Sequence, residues 1–176
     1  TEEVERWQYP RTQFAAICHV APAGALLVSE RRLGEDDIRF TFVSDRTGQV
    51  MSSRVTIPEA EQPRPWQVTD WLFDGADTAY GQHPEGSTLF ACSLSRGRIE
   101  ARWHNPFGRL CYCCLMFGPD GRIWGLTERC VYAVGRDLKR GEIIAEYEDH
   151  ADAHPYRFGM CTGPDGHIYF PNGPHL

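Results

Sequence analysis

The densest group of chemically capable side chains is Asp149-His150-Ala151-Asp152-Ala153-His154-Pro155-Tyr156-Arg157, which places two His, two Asp, a Tyr and an Arg within nine residues. An imidazole or phenol can take a proton from a carbon next to an acyl or uronate group, while a neighbouring guanidinium holds the negative charge that develops. His154 and Tyr156 are therefore the candidate bases and Arg157 the candidate stabiliser. Against this stands the plainer reading of a charged, solvated loop between two strands, which carries the greater weight. Asp149, His150, Asp152 and His154 also have the right atoms for a divalent metal, but spacing within one loop fixes neither ligand geometry nor the hydrogen bonds that orient ligands. No metal ligand is assigned, and the cofactor stays open.

The seven cysteines are Cys18, Cys92, Cys111, Cys113, Cys114, Cys130 and Cys161, an odd number set mostly in apolar, strand-like runs. They read as buried thiols in a reducing compartment, with one or more disulfides as the alternative. Cys111 and Cys113 fall on one strand face and Cys114 on the other, and no Cys-x-x-Cys pair accompanies them, so packed thiols outweigh a soft-metal site. His19 and His104 read as core or turn residues. Phosphate-cradling glycine loops, the nucleophile elbow and the His-Glu-x-x-His zinc motif do not occur in the sequence.

The elements that would position these residues follow from a repeat. Phe117-Gly118-Pro119-Asp120-Gly121-Arg122-Ile123-Trp124 recurs as Thr162-Gly163-Pro164-Asp165-Gly166-His167-Ile168-Tyr169, 45 residues later. Weaker copies place turn glycines at 24, 75, 121 and 166, with spacings of 51, 46 and 45. A Pro beside an aromatic opens each unit, at Tyr9-Pro10, Pro65-Trp66, Pro106-Phe107 and Pro155-Tyr156. A second turn follows at Gly48, Gly97 and Gly141. Between these marks lie short apolar or alternating runs without helical period: Leu110 to Met116, Ile123 to Leu126, Cys130 to Val134 and Glu142 to Glu148 in the third unit. The first is continuously apolar, as for a strand buried on both faces, and the last alternates, as for an outer strand.

Four short strands per unit of this length form the meander of one β-propeller blade. The expected architecture is all-β, about three and a half four-stranded antiparallel blades, over 10–64, 65–105, 106–154 and an incomplete 155–176. An open circle leaves unpaired edges. The first expectation is a piece of a propeller of about six to eight blades; self-association of two copies, or a smaller closed sheet assembly, are the other two.

A net charge of −6 without a basic run argues against a nucleic-acid partner. No apolar stretch approaches the ~18 residues of a membrane span, and the acidic Thr1 to Glu5 lacks the look of a secretory leader. A cytoplasmic location is the expectation, with prior removal of a leader as the alternative.

Gly118 to Thr127, Val131 to Val134 and Asp137 to Ile144 resemble the blade pattern shared by streptogramin lyase-like, gluconolactonase-like, NHL-type and quinoprotein-type propellers. His154 to Met160 is most similar to the streptogramin lyase-like version. The resemblance covers roughly 65–170 and implies the architecture but no one chemistry, because these families share blades while doing unrelated things. The outer strand reads Ile143-Ile144-Ala145-Glu146-Tyr147 where the quinoprotein pattern wants a Trp, and a gluconolactonase-like Glu, Asn and Asp set is missing.

In such a fold the segment entering each inner strand reaches the channel mouth. That selects Trp66, Gln67, Asn105, Phe107 and Arg109 as ligand-binding residues beside His154, Tyr156 and Arg157. The expected function is binding of a small polar or saccharide-like ligand there, with lyase or hydrolase activity. The alternative is a non-catalytic interaction scaffold using outer loops such as 33–37 and 58–63.

Overall fold

The computed structural model describes residues 14–20, 25–31, 37–44, 50–56, 71–82, 87–108, 115–147 and 160–169, with side chains for Arg54 and Val55 in the first four segments. The strands are β1 (Phe14–Val20), β2 (Ala25–Arg31), β3 (Asp37–Ser44), β4 (Val50–Thr56), β5 (Trp71–Phe73), β6 (Thr78–Gln82) and β7 (Thr88–Ser93). They continue as β8 (Arg98–His104), β9 (Met116–Phe117), β10 (Ile123–Leu126), β11 (Cys130–Val134), β12 (Gly141–Glu146), β13 (Cys161–Thr162) and β14 (Ile168–Tyr169). The described chain is all-β, without a helix among the described residues.

Strands β1 to β4, β5 to β8 and β9 to β12 are each a four-stranded antiparallel meander, and β13 with β14 is a hairpin. One parallel bridge, Thr56 to Arg98, joins the outer strands of the first two meanders into an eight-stranded sheet. Their first strands, β1 and β5, also lie side by side. Gly97 makes the outer junction possible. Its φ of +63° suits the turn, and a Cβ there would stand 2.6 Å from the Arg54 carbonyl oxygen.

Alternating side chains sort into three cores between successive units. Val55 of the first meander meets Trp71, Phe73, Ala79, Phe90 and Cys92 of the second. The opposite face of the second meander carries Tyr80, Leu89, Ala91 and Trp103, packed on Ile123, Tyr132 and Val134 of the third. Beyond the third lie Leu126 and Val131, with Trp124, Tyr147 and Met160 against them. The adjacent pairs Leu89/Phe90 and Ala91/Cys92 thus feed different cores, as period-two alternation requires. Each fully buried large side chain, such as Phe73, Leu89 or Ile123, contributes roughly 1.5–3 kcal/mol.

Strict alternation would put Ile99, Ala101 and Trp103 on one face, yet Ile99 joins the first core and the other two the second. The cause is a bulge: Cys92 pairs with Ile99 and Ala91 with Ala101, so Glu100 is extra. The third meander repeats the device, with Tyr132 opposite Ile143, Val131 opposite Ala145 and Ile144 extra. Arg98-Ile99-Glu100-Ala101-Arg102-Trp103 and Glu142-Ile143-Ile144-Ala145-Glu146-Tyr147 are thereby copies of one outer strand.

The corners differ from the sequence reading in instructive ways. The first hairpins of the last three units all close over five residues, and their strand ends Phe73, Phe117 and Thr162 stand 44 (73 to 117) and 45 (117 to 162) apart. Gly121 (φ +76°) and Gly166 (φ +80°) take the fourth place in this loop, but Gly75 (φ +83°) takes the second. The 46-residue glycine spacing therefore joined inequivalent positions. Gly141 is no turn residue either: it pairs with Val134 inside β12, and the left-handed residue of that corner is Leu138 (φ +54°). What requires glycine at 141 is the Trp103 ring, which fills the space a Cβ would need. Finally, β12 is exposed along Glu142–Glu146 instead of alternating, with Ile143 41% and Ile144 37% exposed. The strand reading over 110–114 lies outside the described residues.

Candidate functional site

Phe107 and Asn105 sit in the segment that leaves β8 toward β9. Asn105 is buried, and both ends of its amide serve the turn: Oδ1 accepts the Phe107 N–H at 3.0 Å and Nδ2 reaches the Gly108 carbonyl at 3.4 Å. Its own N–H donates to the Ser87 carbonyl at 2.5 Å. This is the local bonding that Asn offers at turns, and it orients Phe107, whose ring lies 6.1 Å from that of Trp103.

The other wall is built by the β10–β11 turn and the end of β12. Buried Thr127 shapes that turn, its Oγ1 accepting the N–H groups of Arg129 (3.1 Å) and Cys130 (3.0 Å). Thr127 N–H donates to the Cys130 carbonyl at 2.9 Å, so Glu128 and Arg129 are turned out to solvent. Tyr147 follows β12, its N–H bonded to the Arg129 carbonyl at 2.9 Å and its hydroxyl donating to the Thr127 carbonyl. Phe107, Arg129, Cys130, Ile143, Glu146 and Tyr147 together line an open cleft of about 280 Å³.

Two aromatic rings and an isoleucine supply apolar surface, and Arg129 and Glu146 supply opposite charges. Neither the Arg129 guanidinium nor the Glu146 carboxylate has a side-chain partner among the described residues. Phe107 is the sequence-selected residue at this cleft. Trp66, Gln67, Arg109, His154, Tyr156 and Arg157 lie outside the described residues, as do Asp149, His150 and Asp152. The signal that points to the missed wall is the outer-strand copy: Glu146-Tyr147 stands where Arg102-Trp103 stands one unit earlier.

A more conspicuous cluster is exposed on the last hairpin. Asp165 Oδ2 accepts the Tyr169 hydroxyl at 2.6 Å and lies 3.0 Å from His167 Nδ1, while Oδ1 accepts the His167 N–H at 3.0 Å. The preceding unit repeats it with other residues. Asp120 Oδ1 accepts the Arg122 N–H (3.0 Å) and the Trp124 indole N–H (2.9 Å), and Oδ2 accepts Arg122 Nε (2.6 Å). Because an Arg and a Trp fill the roles of His and Tyr, the shared function is fixing the corner and its aromatic, not proton transfer. The Tyr169 hydroxyl and His167 hold the Asp165 carboxyl below its ordinary value. Burial opposes ionisation of Asp120, but the Arg122 amide and guanidinium and the Trp124 indole outweigh it and lower its pKa.

Among the described residues no group of three His, Cys, Asp or Glu is placed to hold a metal ion, and no helix is long and apolar enough to cross a membrane. Cys92 and Cys130 are buried as expected, but Cys161 is exposed. His104 is exposed on β8, its Nδ1 3.4 Å from Thr88 Oγ1, so it is not a core residue. Compared with known proteins, the chain matches no protein-family model and no curated protein.

Proposed function

We propose that this chain is a run of β-propeller blades that binds a small polar or saccharide-like ligand at the edge where the connections between units meet the β10–β11 turn. The observation that carries this reading is the cleft of about 280 Å³ beneath Phe107, where two rings and two unpartnered charges converge. Its size sits near the low end of ligand pockets, roughly 300–1,000 Å³, which suits a single sugar or a molecule of similar size. Support for the blade architecture comes from the 44- and 45-residue step between hairpins and from cores lying between each meander and the next.

The lyase or hydrolase activity rests on His154, Tyr156 and Arg157 and is tested separately from binding. A panel of monosaccharides, uronates and amino acids, screened by thermal stabilisation and then by crystallography, should yield a ligand ordered against Phe107 and Tyr147. Stabilisation with the ligand seated elsewhere, or none across the panel, refutes the binding site. Turnover of a uronate ester surviving His154→Ala removes the catalytic assignment and leaves binding intact.

The interaction scaffold is the second reading, favoured by the exposed Ile143 and Ile144 on edge strand β12. Ile144→Lys should then abolish concentration-dependent association in sedimentation while leaving small-ligand binding unchanged. Association that persists in this variant counts against a scaffold using β12.

A further inference from the structure

The cleft under Phe107 carries one cation and one anion that do not neutralise each other. Other charges among the described residues do form pairs: Arg122 binds Asp120 and Glu142, and Glu100 binds Arg96 and Arg98. Arg129 and Glu146 are placed by adjoining backbone, since Glu146 pairs with Cys130 and the Arg129 carbonyl accepts the Tyr147 N–H. Both side chains nevertheless line the cavity without pairing with any described group. Phe107, Ile143 and Tyr147 line the same cavity, and the Tyr147 hydroxyl hydrogen is already committed to the Thr127 carbonyl. Phe107 and Ile143 supply apolar surface beside Tyr147 in the cleft.

From this arrangement we infer that the ligand is a small zwitterion of the amino-acid type, its carboxylate held by Arg129, its ammonium by Glu146 and an apolar side chain against Phe107, Ile143 and Tyr147. A neutral sugar could hydrogen-bond to both groups but would neutralise neither charge. A singly charged ligand would satisfy one and leave the other charge without a counter-ion. The inference rests on the small-ligand reading above and narrows it.

The test titrates the folded chain with L-phenylalanine, N-acetyl-L-phenylalanine, L-phenylalaninamide and methyl α-D-glucoside, following the amide resonances of Arg129, Cys130 and Tyr147 by NMR. Phenylalanine should shift these amides saturably, and each blocked analogue, which loses one charge, should bind about threefold to tenfold more weakly. Arg129→Gln should erase the preference for phenylalanine over the amide, and Glu146→Gln the preference over the N-acetyl compound. Glu142→Gln, on the same strand but outside the cleft, should leave both preferences in place. If the glucoside shifts these amides with an affinity equal to or above that of phenylalanine, the zwitterion is refuted while the small-ligand site stands. If no probe moves them, both readings fall.

Discussion

Gly141→Ala isolates the contact that joins the second and third meanders. Gly141 has no left-handed φ, so alanine is conformationally allowed there, and Gly→Ala at such a position ordinarily stabilises by about 0.4–1 kcal/mol through the unfolded chain. Here the added methyl would enter the Trp103 ring, which is held in place by Tyr132 at 5.4 Å and Phe107 at 6.1 Å. Overpacking of that kind costs roughly 1–3 kcal/mol, so the net expectation is a loss of about 0–2.6 kcal/mol. At a urea slope of ~2 kcal/mol/M, a 2 kcal/mol loss lowers the unfolding midpoint by ~1 M. Trp103→Leu costs stability by itself but removes the obstructing ring. In that background Gly141→Ala should become neutral or stabilising, a coupling of roughly 1–3 kcal/mol in the double-mutant cycle. Equal costs of Gly141→Ala in both backgrounds would refute the stacking of Trp103 on β12.

Leu138 holds φ +54° while burying its side chain in the second core, so Leu138→Gly should be about 1 kcal/mol less destabilising than Leu138→Ala, reversing the usual order in chemical denaturation. Asp120 has a depressed folded pKa, so its contribution is present above the unfolded value of about 3.9 and lost as pH falls through the lower folded value. Melting temperature between pH 5 and pH 2 should thus fall less steeply in Asp120→Asn than in the wild type. Cys161 should react with a maleimide in the folded chain, whereas Cys92 and Cys130 should be labelled only on unfolding, as mapped by mass spectrometry.

Much of the strand order was legible because hydrophobic runs and corner residues report on the backbone directly. Ile123–Leu126 and Cys130–Val134 appear in the fold with the bounds their apolar runs implied. Glycine misled where it serves two masters. At 97 and 121 it supplies a left-handed corner, at 141 it makes room for a ring from another sheet, and at 75 it occupies a different place in a loop of equal length. Those uses look alike in one sequence, since two depend on partners more than 30 residues away. The bulges at Glu100 and Ile144 were hidden for the same reason: they reveal themselves in the cross-strand register, not in the alternation of the strand that contains them.

The candidate site was far less legible, and the two acidic corners show why. Asp165 with His167 and Tyr169 has the residue types of a proton-transfer group, yet Asp120 with Arg122 and Trp124 makes the same bonds with side chains unsuited to that chemistry. Residue type and proximity therefore fail to separate a fastened corner from a working site in this fold. Partner occupancy does separate them. The corner carboxylates spend their lone pairs on their own hairpins, and Asn105 spends its amide on the turn that aims Phe107. Arg129 and Glu146 stand in a cavity with their side-chain bonding capacity unspent among the described residues, so an incoming ligand displaces only water there. That difference in remaining capacity, which no spacing in the sequence encodes, is the physical reason to look for binding at the cleft before the corners.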